Sequence, residues 1–418
     1  MSSPAPLDKK TSPLRWWILF MLFTAGFLNY MDKGMLGLLA PTIQKDLGFD
    51  DNAYADVQNW FQVAYTVATL ASGFIVDKFG ARISLALFVG WWSVANVLTG
   101  FANSVLSLKF YRSLLGLGEA GNWTAAPKTV GEWFSDKERG LAIGVYSIGA
   151  PIGMVIAPSL IIGMMTFYGS WKAPFIVTGL LGVIWVLPWL WLYKSSPVPG
   201  VASAPNGAVP APENTATNGW SFLYALCRWE VWVLIFGRML TDPVWGFYQN
   251  WYPKYLVNAR GFSQTDIKAV WIVFVGAAIG GIIGGWLSGR FVKRGVRAVR
   301  ARLLVMGIAM LAMFLSPLVS QVSSSNLSIA LAAIIVMAHL AWLTNVSTLV
   351  VDIVPQVSLA KVFGLVAVGS SLGMIGMNKG VAAIIGAGSY DRWFTIAGFL
   401  HVTAFLLLLS LWRRKADA

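Results

Sequence analysis

Arg112 and Glu119 are ionisable residues in a stretch, 105–127, that is otherwise apolar. They stand seven residues apart, about two turns of an α-helix, so both side chains point the same way, roughly 10 Å apart along the helix axis. An ionised group at the centre of a bilayer costs on the order of 3 kcal/mol on insertion scales. Such residues therefore face a protein interior or an aqueous cavity, and they indicate transport or proton transfer.

Two further carboxylates, Asp32 and Asp242, lie inside apolar stretches, whereas the other acidic residues fall in loops, tails or helix ends. A carboxylate that couples transport to protons must be partly desolvated and must meet a cation whose partnership can change. The alternative for Arg112 and Glu119 is a permanent ion pair that fixes the helix bundle, although apolar residues usually replace such a pair at little cost.

The basic residues within apolar stretches are Lys33, Arg112 and Arg238, and an anionic substrate in the membrane would need one of them. Lysine is a point charge, so it constrains the angle of carboxylate recognition less than arginine does. Arg238 precedes Asp242 by one helical turn, so it either binds the substrate or forms an internal i,i+4 pair.

The elements that must position these residues are membrane-spanning helices. Of the 418 residues 57% are hydrophobic and 12% are charged, against about 25% charged residues in soluble domains. The length suits about a dozen helices of ~20 residues. The apolar spans lie near 16–38, 54–76, 83–101, 106–127, 139–165, 171–193, 229–253, 268–289, 303–320, 328–351, 359–388 and 393–412.

The net charge of +13 is distributed unevenly, since most basic residues fall in alternate loops. The positive-inside rule then predicts a multi-pass protein with both termini in the cytoplasm. The basic excess orients the chain in the bilayer and implies no nucleic-acid partner. Cys227 is the only cysteine, which excludes an intrachain disulfide and argues against a Cys-based metal site. We find no metal-ligand cluster, nucleophile elbow or phosphate loop, so we expect neither an enzyme nor a cofactor.

A Pro-, Ala-, Asn- and Ser-rich segment separates two sets of six spans. Gly73-Phe-Ile-Val-Asp77-Lys78-Phe79 and Gly285-Trp-Leu-Ser-Gly289-Arg290-Phe291 follow equivalent spans of the two sets. This repeat predicts an all-α membrane fold of 12 transmembrane helices, in two pseudo-symmetric six-helix bundles around a midplane site. The predicted parts are a cytoplasmic tail 1–15, a bundle 16–193, a cytoplasmic linker 194–228, a bundle 229–412 and a tail 413–418.

Several motifs resemble known transporters. Gly73-x-x-x-Asp77-Lys78-x-Gly80-x-Arg82 resembles the signature of the major facilitator superfamily. Tyr30-Met-Asp32-Lys33 and Arg112-x6-Glu119-Ala-Gly-Asn-Trp resemble the anion:cation symporter family. Within that family, Asp242-Pro-Val-Trp245 and Ala338-His339-x-Ala-Trp342 are most similar to the bacterial hexuronate transporters.

The resemblance implies roles for individual residues. Asp32 and Glu119 match the proton sites of the family, and Arg112 matches the arginine that responds to the glutamate's charge. Lys33 matches the cation that contacts the substrate's acid group. The loop that contains Asp77 is expected to form a gate at the cytoplasmic side. The predicted gating residues are Asp77, Lys78, Arg82 and Arg139. The alternative for this loop is an ordinary solvated turn. In the second half Gly289 replaces the aspartate, so we expect a weaker or absent latch there.

A sugar acid also needs partners for its hydroxyls, namely amides, hydroxyls and aromatic faces. The candidate substrate-binding residues are Tyr30, Lys33, Tyr65, Arg238, Trp245, Tyr248, Gln249, Asn250, His339, Trp342, Asn345, Ser370 and Ser371. Tyr30 and Tyr65 match sugar-acid contacts of the resembling galactonate carriers. For each candidate that would recognise a hydroxyl, helix packing explains the residue at least as well as ligand contact. His339 is either a satisfied interhelical hydrogen bonder or a secondary titrating group.

The resemblance thus implies proton-coupled uptake of a hexuronate such as glucuronate or galacturonate, by a monomer in the bacterial inner membrane. Its partners are a small organic anion, protons and the lipid bilayer. Ala150 stands where the galactonate carriers have a glutamine, which argues against galactonate. The alternatives are a symporter of another organic anion (an aldonate, aldarate or aromatic acid), an anion exchanger, and a membrane sensor or scaffold with a degenerate transporter fold.

Overall fold

The computed structural model describes residues 12–134, 136–193, 222–355, 358–386 and 389–413. These residues form helices joined by short loops, and none of them lies in a strand. The α-helices are α1 Leu14–Leu47, α2 Asp51–Gly100, α3 Val105–Glu119, α4 Asn122–Trp133, α5 Asp136–Tyr168, α6 Lys172–Leu192, α7 Phe222–Cys227, α8 Trp229–Asn250, α9 Tyr252–Arg260, α10 Trp271–Lys293, α11 Ala298–Met313, α12 Leu318–Gln321, α13 Ser325–Ile353, α14 Leu359–Gly386 and α15 Tyr390–Leu408. Most of the predicted tails and of the linker 194–228 lies outside the described residues, and the linker's last part forms α7.

Eight helical segments of the described residues are long and apolar enough to cross a membrane. One of them, Asp51–Gly100, has 50 residues and covers the predicted second and third spans. The first, fourth and seventh predicted spans coincide with α1, with α3 and α4 together, and with α8. These three spans contain the ionisable residues Asp32, Lys33, Arg112, Glu119, Arg238 and Asp242. The chain is an all-helical, multi-pass membrane protein.

Two helix interruptions differ from the predicted spans. Gly80 has φ 73° and ψ 163° inside α2, a left-handed φ that glycine adopts without strain, and the helix kinks there. The predicted span 106–127 is divided, since α3 ends at Glu119 and α4 begins at Asn122. A Cβ atom at Gly121 would lie 2.1 Å from the ring of Phe88, so only glycine fits at this break.

The internal repeat is visible in helix packing. In α5, Cβ atoms at Gly149 and Gly153 would lie 2.3 and 2.5 Å from carbonyl oxygens of α1. In α14, Cβ atoms at Gly369 and Gly373 would lie 2.6 and 2.1 Å from carbonyl oxygens of α8. Small residues four apart let membrane helices approach closely. The fifth span of each half therefore contacts the first span of that half in the same way.

The chain forms two compact units. The first contains Met1–Met35 and Trp60–Thr215, and the second contains Leu36–Asn59 and Ala216–Ala418. The end of α1 and the beginning of α2 thus belong to the second unit. The domain bounds at 16–193 and 229–412 stay a prediction.

Candidate substrate and proton site

In the first unit, Asp32 of α1 is buried and 1% exposed. The amide nitrogen of Asn96 in α2 donates to Asp32 Oδ1 at 2.9 Å and to Thr178 Oγ1 of α6 at 2.8 Å. Asp32 also interacts electrostatically with Glu119 and Arg112. The two acids predicted as proton sites therefore lie in one charged cluster, and Asn96 and Thr178 are members that the sequence analysis missed.

Glu119 is the last residue of α3, and its side chain is fully buried. Neither of its carboxyl oxygens has a hydrogen-bond partner among the described residues. The cations with which it interacts electrostatically are Lys33 and Arg112. Arg112 is also buried, and its guanidinium carbon lies 4.8 Å from the ring centroid of Phe61. Arg112 and Glu119 therefore interact electrostatically, without a hydrogen bond to the carboxyl oxygens of Glu119. The choice between a proton site and a permanent ion pair stays a prediction. A buried carboxyl group without a hydrogen-bond partner can exchange a proton without first breaking such a bond.

Lys33 is half-buried and surrounded by aromatic rings of the first unit. Its Nζ lies 4.2 Å from the ring centroid of Tyr65, 5.6 Å from that of Phe61 and 5.8 Å from that of Tyr30. We call Lys33 and these three rings the Lys33 cage. Lys33 makes neither a hydrogen bond nor a direct ion pair with any described residue. A cation held by ring faces keeps its N–H donors available, which is what carboxylate binding requires.

In the second unit, Arg238 and Asp242 form the i,i+4 pair, with Arg238 Nε 2.6 Å from Asp242 Oδ2. The hydroxyl of Ser370 in α14 donates to the same oxygen. The third carboxylate within a span is thus held by two donors, unlike Glu119. A substrate contact by Arg238 or Ser370 stays a prediction.

His339 is fully buried and belongs to a cluster of rings. Its Nδ1 lies 3.1 Å from Nε2 of His401 in α15, and its ring is parallel to that of Trp245 with centroids 6.4 Å apart. Trp342 contacts the edge of His401 at a centroid distance of 5.1 Å. His339 thus makes an interhelical hydrogen bond with His401, as one of its two alternatives predicted. His401 was missed, although it is the only other histidine of the chain and lies in an apolar span.

The other predicted substrate residues of this unit lie in varied surroundings. Asn345 Nδ2 donates to the carbonyl oxygens of Gly284 and Ala341, which attaches α13 to α10. The backbone oxygen of Asn250 accepts from Tyr54 at 2.7 Å. Tyr248, Gln249 and Ser371 are buried. The hydrogen bonds of Asn345 serve helix packing, which was the alternative to substrate binding for this residue. Substrate binding by the residues of this group stays a prediction.

Among the described side chains, the predicted gating residues Asp77, Lys78 and Arg82 have separate partners. Asp77 Oδ1 accepts from Lys128 Nζ of α4 at 3.0 Å, whereas Arg82 donates to a backbone oxygen of α6 at 2.6 Å and Lys78 lies over the ring of Phe79. The side chain of Arg139 lies outside the described part of the chain.

The corresponding end of the second unit has polar contacts of its own, despite the glycine at 289. Arg302 lies 3.2 Å from Asp352 Oδ2 and donates to Ser288 at 2.7 Å. Asp352 of α13 thus supplies a carboxylate at this end, where residue 289 is a glycine. The expected weaker or absent latch stays a prediction.

The profile of the Major Facilitator Superfamily matches residues 22–377 of the chain. The chain belongs to this superfamily, so it is a membrane transporter and not an enzyme.

Two relatives within the superfamily are transporters of sugar acids. The chain is 27% identical to the hexuronate transporter of Escherichia coli K12 over 411 residues, which cover 96% of this chain and 93% of that protein. It is also 27% identical to the galacturonate transporter of Dickeya chrysanthemi over 327 residues, which cover 74% of this chain and 94% of that protein. The chain is thus related to sugar acid transporters.

Among solved structures, the fold is similar to that of a bacterial homologue of the human lysosomal transporter Spinster, in an inward-facing and unoccupied conformation. The TM-score is 0.72, the identity is 19%, and the match covers 96% of each chain. This similarity confirms the all-helical transporter fold.

Proposed function

We propose that this protein is a proton-coupled symporter that takes up a sugar acid anion across the bacterial inner membrane. The proposed substrate is a hexuronate such as glucuronate or galacturonate. The observation that carries the proposal is the buried carboxyl group of Glu119, which lacks a hydrogen-bond partner in the described structure and interacts with Lys33 and Arg112. Binding of a proton to this carboxyl group removes its charge and so weakens its attraction for both cations.

The coupling follows from competition for Lys33. An ionised Glu119 attracts the Lys33 ammonium, and the carboxylate of a substrate needs the same cation. A proton on Glu119 removes the competing negative charge, so the proton and the anion bind together. On the less acidic side Glu119 loses the proton and recovers its attraction for Lys33, which favours release of the anion. Each ligand changes the state of the carrier only through its different affinity for the two states.

Asp32 is the second proposed proton site. It shares an electrostatic interaction with Glu119 and accepts a hydrogen bond from Asn96. Two carboxylates in one buried cluster disfavour simultaneous ionisation. Protonation of one acid therefore alters the other, which gives the site a way to respond to the external pH.

The proposed substrate class rests on the Lys33 cage and on the similarity to a hexuronate transporter and a galacturonate transporter. The ammonium supplies a point charge for a carboxylate, and the rings of Tyr30 and Tyr65 beside it suit the apolar face of a sugar. The same chemistry would also accept another small organic acid, so competition among acids decides the substrate.

The test is transport by the purified protein in proteoliposomes without internal substrate, with the external medium more acidic than the lumen. We expect labelled glucuronate to accumulate, a protonophore to abolish accumulation, and unlabelled galacturonate to compete better than galactonate, glucarate or an aromatic acid. Uptake that requires an internal anion would show an exchanger instead. Stronger competition by one of the other acids would replace the hexuronate as substrate.

A further inference from the structure

The segment 36–59, which joins α1 to α2, is held to the rest of the second unit by specific polar contacts. The side-chain amide of Asn378 in α14 donates to Asn59 Oδ1 at 2.8 Å, and Trp251 Nε1 donates to Asn378 Oδ1 at 3.0 Å. Gln264 donates to the backbone oxygen of Leu38 at 2.7 Å. We call residues 36–59 the outer hairpin, because the charge distribution of the loops predicts that it lies at the extracytoplasmic side.

One ion pair of this hairpin is buried. Lys254 follows α8 and is 3% exposed, and its ammonium group pairs with Asp51 at the start of α2. The rings of Tyr54 and Trp251 lie 5.8 and 5.7 Å from Lys254 Nζ. Burial lowers the pKa of Lys254 to about 8, against the opposing effect of Asp50. The charge is therefore poorly hydrated, and it needs an anion beside it.

Lys254 and Asp51 line a cavity of about 470 Å³ formed by the outer hairpin, α9 and the end of α14. This volume is in the range of small-molecule sites. Lys45 supplies a second cation to its wall, and side-chain amides come from Gln44, Asn52 and Asn258.

The acids of the wall already have donors. Asp50 accepts from the backbone nitrogen of Ala53 at 2.8 Å, and Asp51 accepts from Gln44 at 3.0 Å as well as from Lys254. Lys254 is paired with Asp51, whereas Lys45 forms no ion pair with any described residue and can attract an anion. The amides match hydroxyl groups, so the cavity suits a small polyhydroxy carboxylate.

We propose that this cavity is an outer binding site for the substrate's carboxylate, in which the anion replaces Asp51 on Lys254 and releases the outer hairpin. The proposal rests on the proposed sugar acid function. Exchange of one carboxylate for another keeps the buried ammonium paired, whereas loss of Asp51 without a replacement would leave a buried charge alone. The anion therefore binds better when the hairpin is released, and this difference in affinity shifts the hairpin towards release.

The experiment measures hairpin release by cysteine labelling. Cys227→Ser removes the only native thiol. Ala55→Cys then introduces one at a fully buried position of the hairpin, on the helix face of Asn59. A membrane-impermeant maleimide labels this thiol from outside, with and without glucuronate. At ten times its dissociation constant, glucuronate should raise the labelling rate up to about tenfold, since binding multiplies the released population by 1 + [L]/Kd.

Three variants in this background decide the outcome. Lys254→Gln should abolish the effect of glucuronate, and Asp51→Asn should give fast labelling even without it. Lys268→Gln changes an exposed lysine between α9 and α10 and should behave as the parent. An unchanged labelling rate in the parent, or an undiminished response in Lys254→Gln, would overturn the proposal. Transport by the parent is measured in parallel, so that a failure of the carrier function itself is detected there.

Discussion

Replacement of Tyr65 by leucine removes the closest ring of the Lys33 cage. Its centroid lies 4.2 Å from Lys33 Nζ, whereas those of Phe61 and Tyr30 lie 5.6 and 5.8 Å away. A cation–π contact contributes about 0.5–1 kcal/mol at exposed sites and about 2 kcal/mol when desolvated. Since Lys33 is half-buried, we expect a loss between about 1 and 2 kcal/mol.

The loss affects binding because the ring holds the ammonium in place before the substrate arrives. Without the ring, Lys33 extends into water or towards Glu119 and must be brought back when the carboxylate binds. If the whole contact energy is lost in this way, glucuronate binds about 5- to 30-fold more weakly. Tyr65→Phe keeps the ring and should bind close to the wild type.

The assay is calorimetric titration of glucuronate at one pH into the wild type, Tyr65→Leu and Tyr65→Phe, with thermal unfolding as a control for folding. A double-mutant cycle with Lys33→Gln completes it, because residues that act through one contact are not additive. Tyr65→Leu should have no further effect in the Lys33→Gln background. If Tyr65→Phe binds as weakly as Tyr65→Leu, the hydroxyl contacts the substrate directly and the reasoning about the ring is refuted. An equal loss in the Lys33→Gln background refutes it too.

Three further predictions concern the elements around this site. Asn96→Ala removes the hydrogen bond to Asp32, so we expect about 1–3 kcal/mol less stability in chemical unfolding and slower proton-driven uptake; unchanged values of both would contradict the role of Asn96. Gly37→Ala would place a Cβ atom 2.4 Å from a carbonyl oxygen of α8 and should cost about 1–3 kcal/mol. Gly34→Ala, with no atom within 4 Å, should leave Tm unchanged, and equal Tm values for the two variants would be inconsistent with this packing. Lys128→Gln breaks a partly exposed ion pair, so stability should change by less than about 1 kcal/mol while the transport rate changes; an unaltered rate would remove this pair from the gate.

The burial of the charged residues was predictable from the sequence. Arg112 and Glu119 stand in an apolar stretch, and the cost of exposing them to lipid leaves only an interior position. The structure confirms that both are buried. The all-helical fold was predictable for the same reason, since a lipid-exposed backbone must satisfy its own hydrogen bonds.

The neutral residues of the charged cluster, Asn96 and Thr178, were not predicted from the sequence. Asn96 and Thr178 are single polar residues in apolar spans, and a search for ionisable groups passes over them. The hydrogen bonds of this cluster join Asp32 to Asn96 and Asn96 to Thr178, pairs that are 64 and 82 positions apart along the chain, so local spacing contains no signal for them. His401 was missed similarly, because only the packing of α15 on α13 brings it to His339.

Helix boundaries and the outer hairpin show a second limit. Gly80 within the loop motif could indicate a break in the chain direction. The sequence did not indicate that α2 continues as a helix on both sides of this glycine. The contact of Asn59 with Asn378 pairs two amides 319 residues apart, which no periodicity predicts. The glycines of α5 and α14, by contrast, recur with the same spacing in each half and could have been used as evidence of the repeat.

The most direct measurement compares Glu119→Gln with the wild type in proteoliposomes. Glutamine keeps the size of the side chain and cannot exchange a proton. With two pH units across the membrane and one proton per anion, the wild type accumulates glucuronate up to about 100-fold, because each unit is worth about 1.4 kcal/mol. The variant should reach equal concentrations inside and outside while still exchanging labelled for unlabelled glucuronate.

The matched control is Glu230→Gln, which changes a buried carboxylate of α8 that pairs with Arg228 at 2.7 Å. This variant should accumulate glucuronate as the wild type does. If Glu119→Gln accumulates glucuronate against its gradient to the wild-type level, the carboxyl group of Glu119 does not couple the proton to transport, and the proposed mechanism is contradicted.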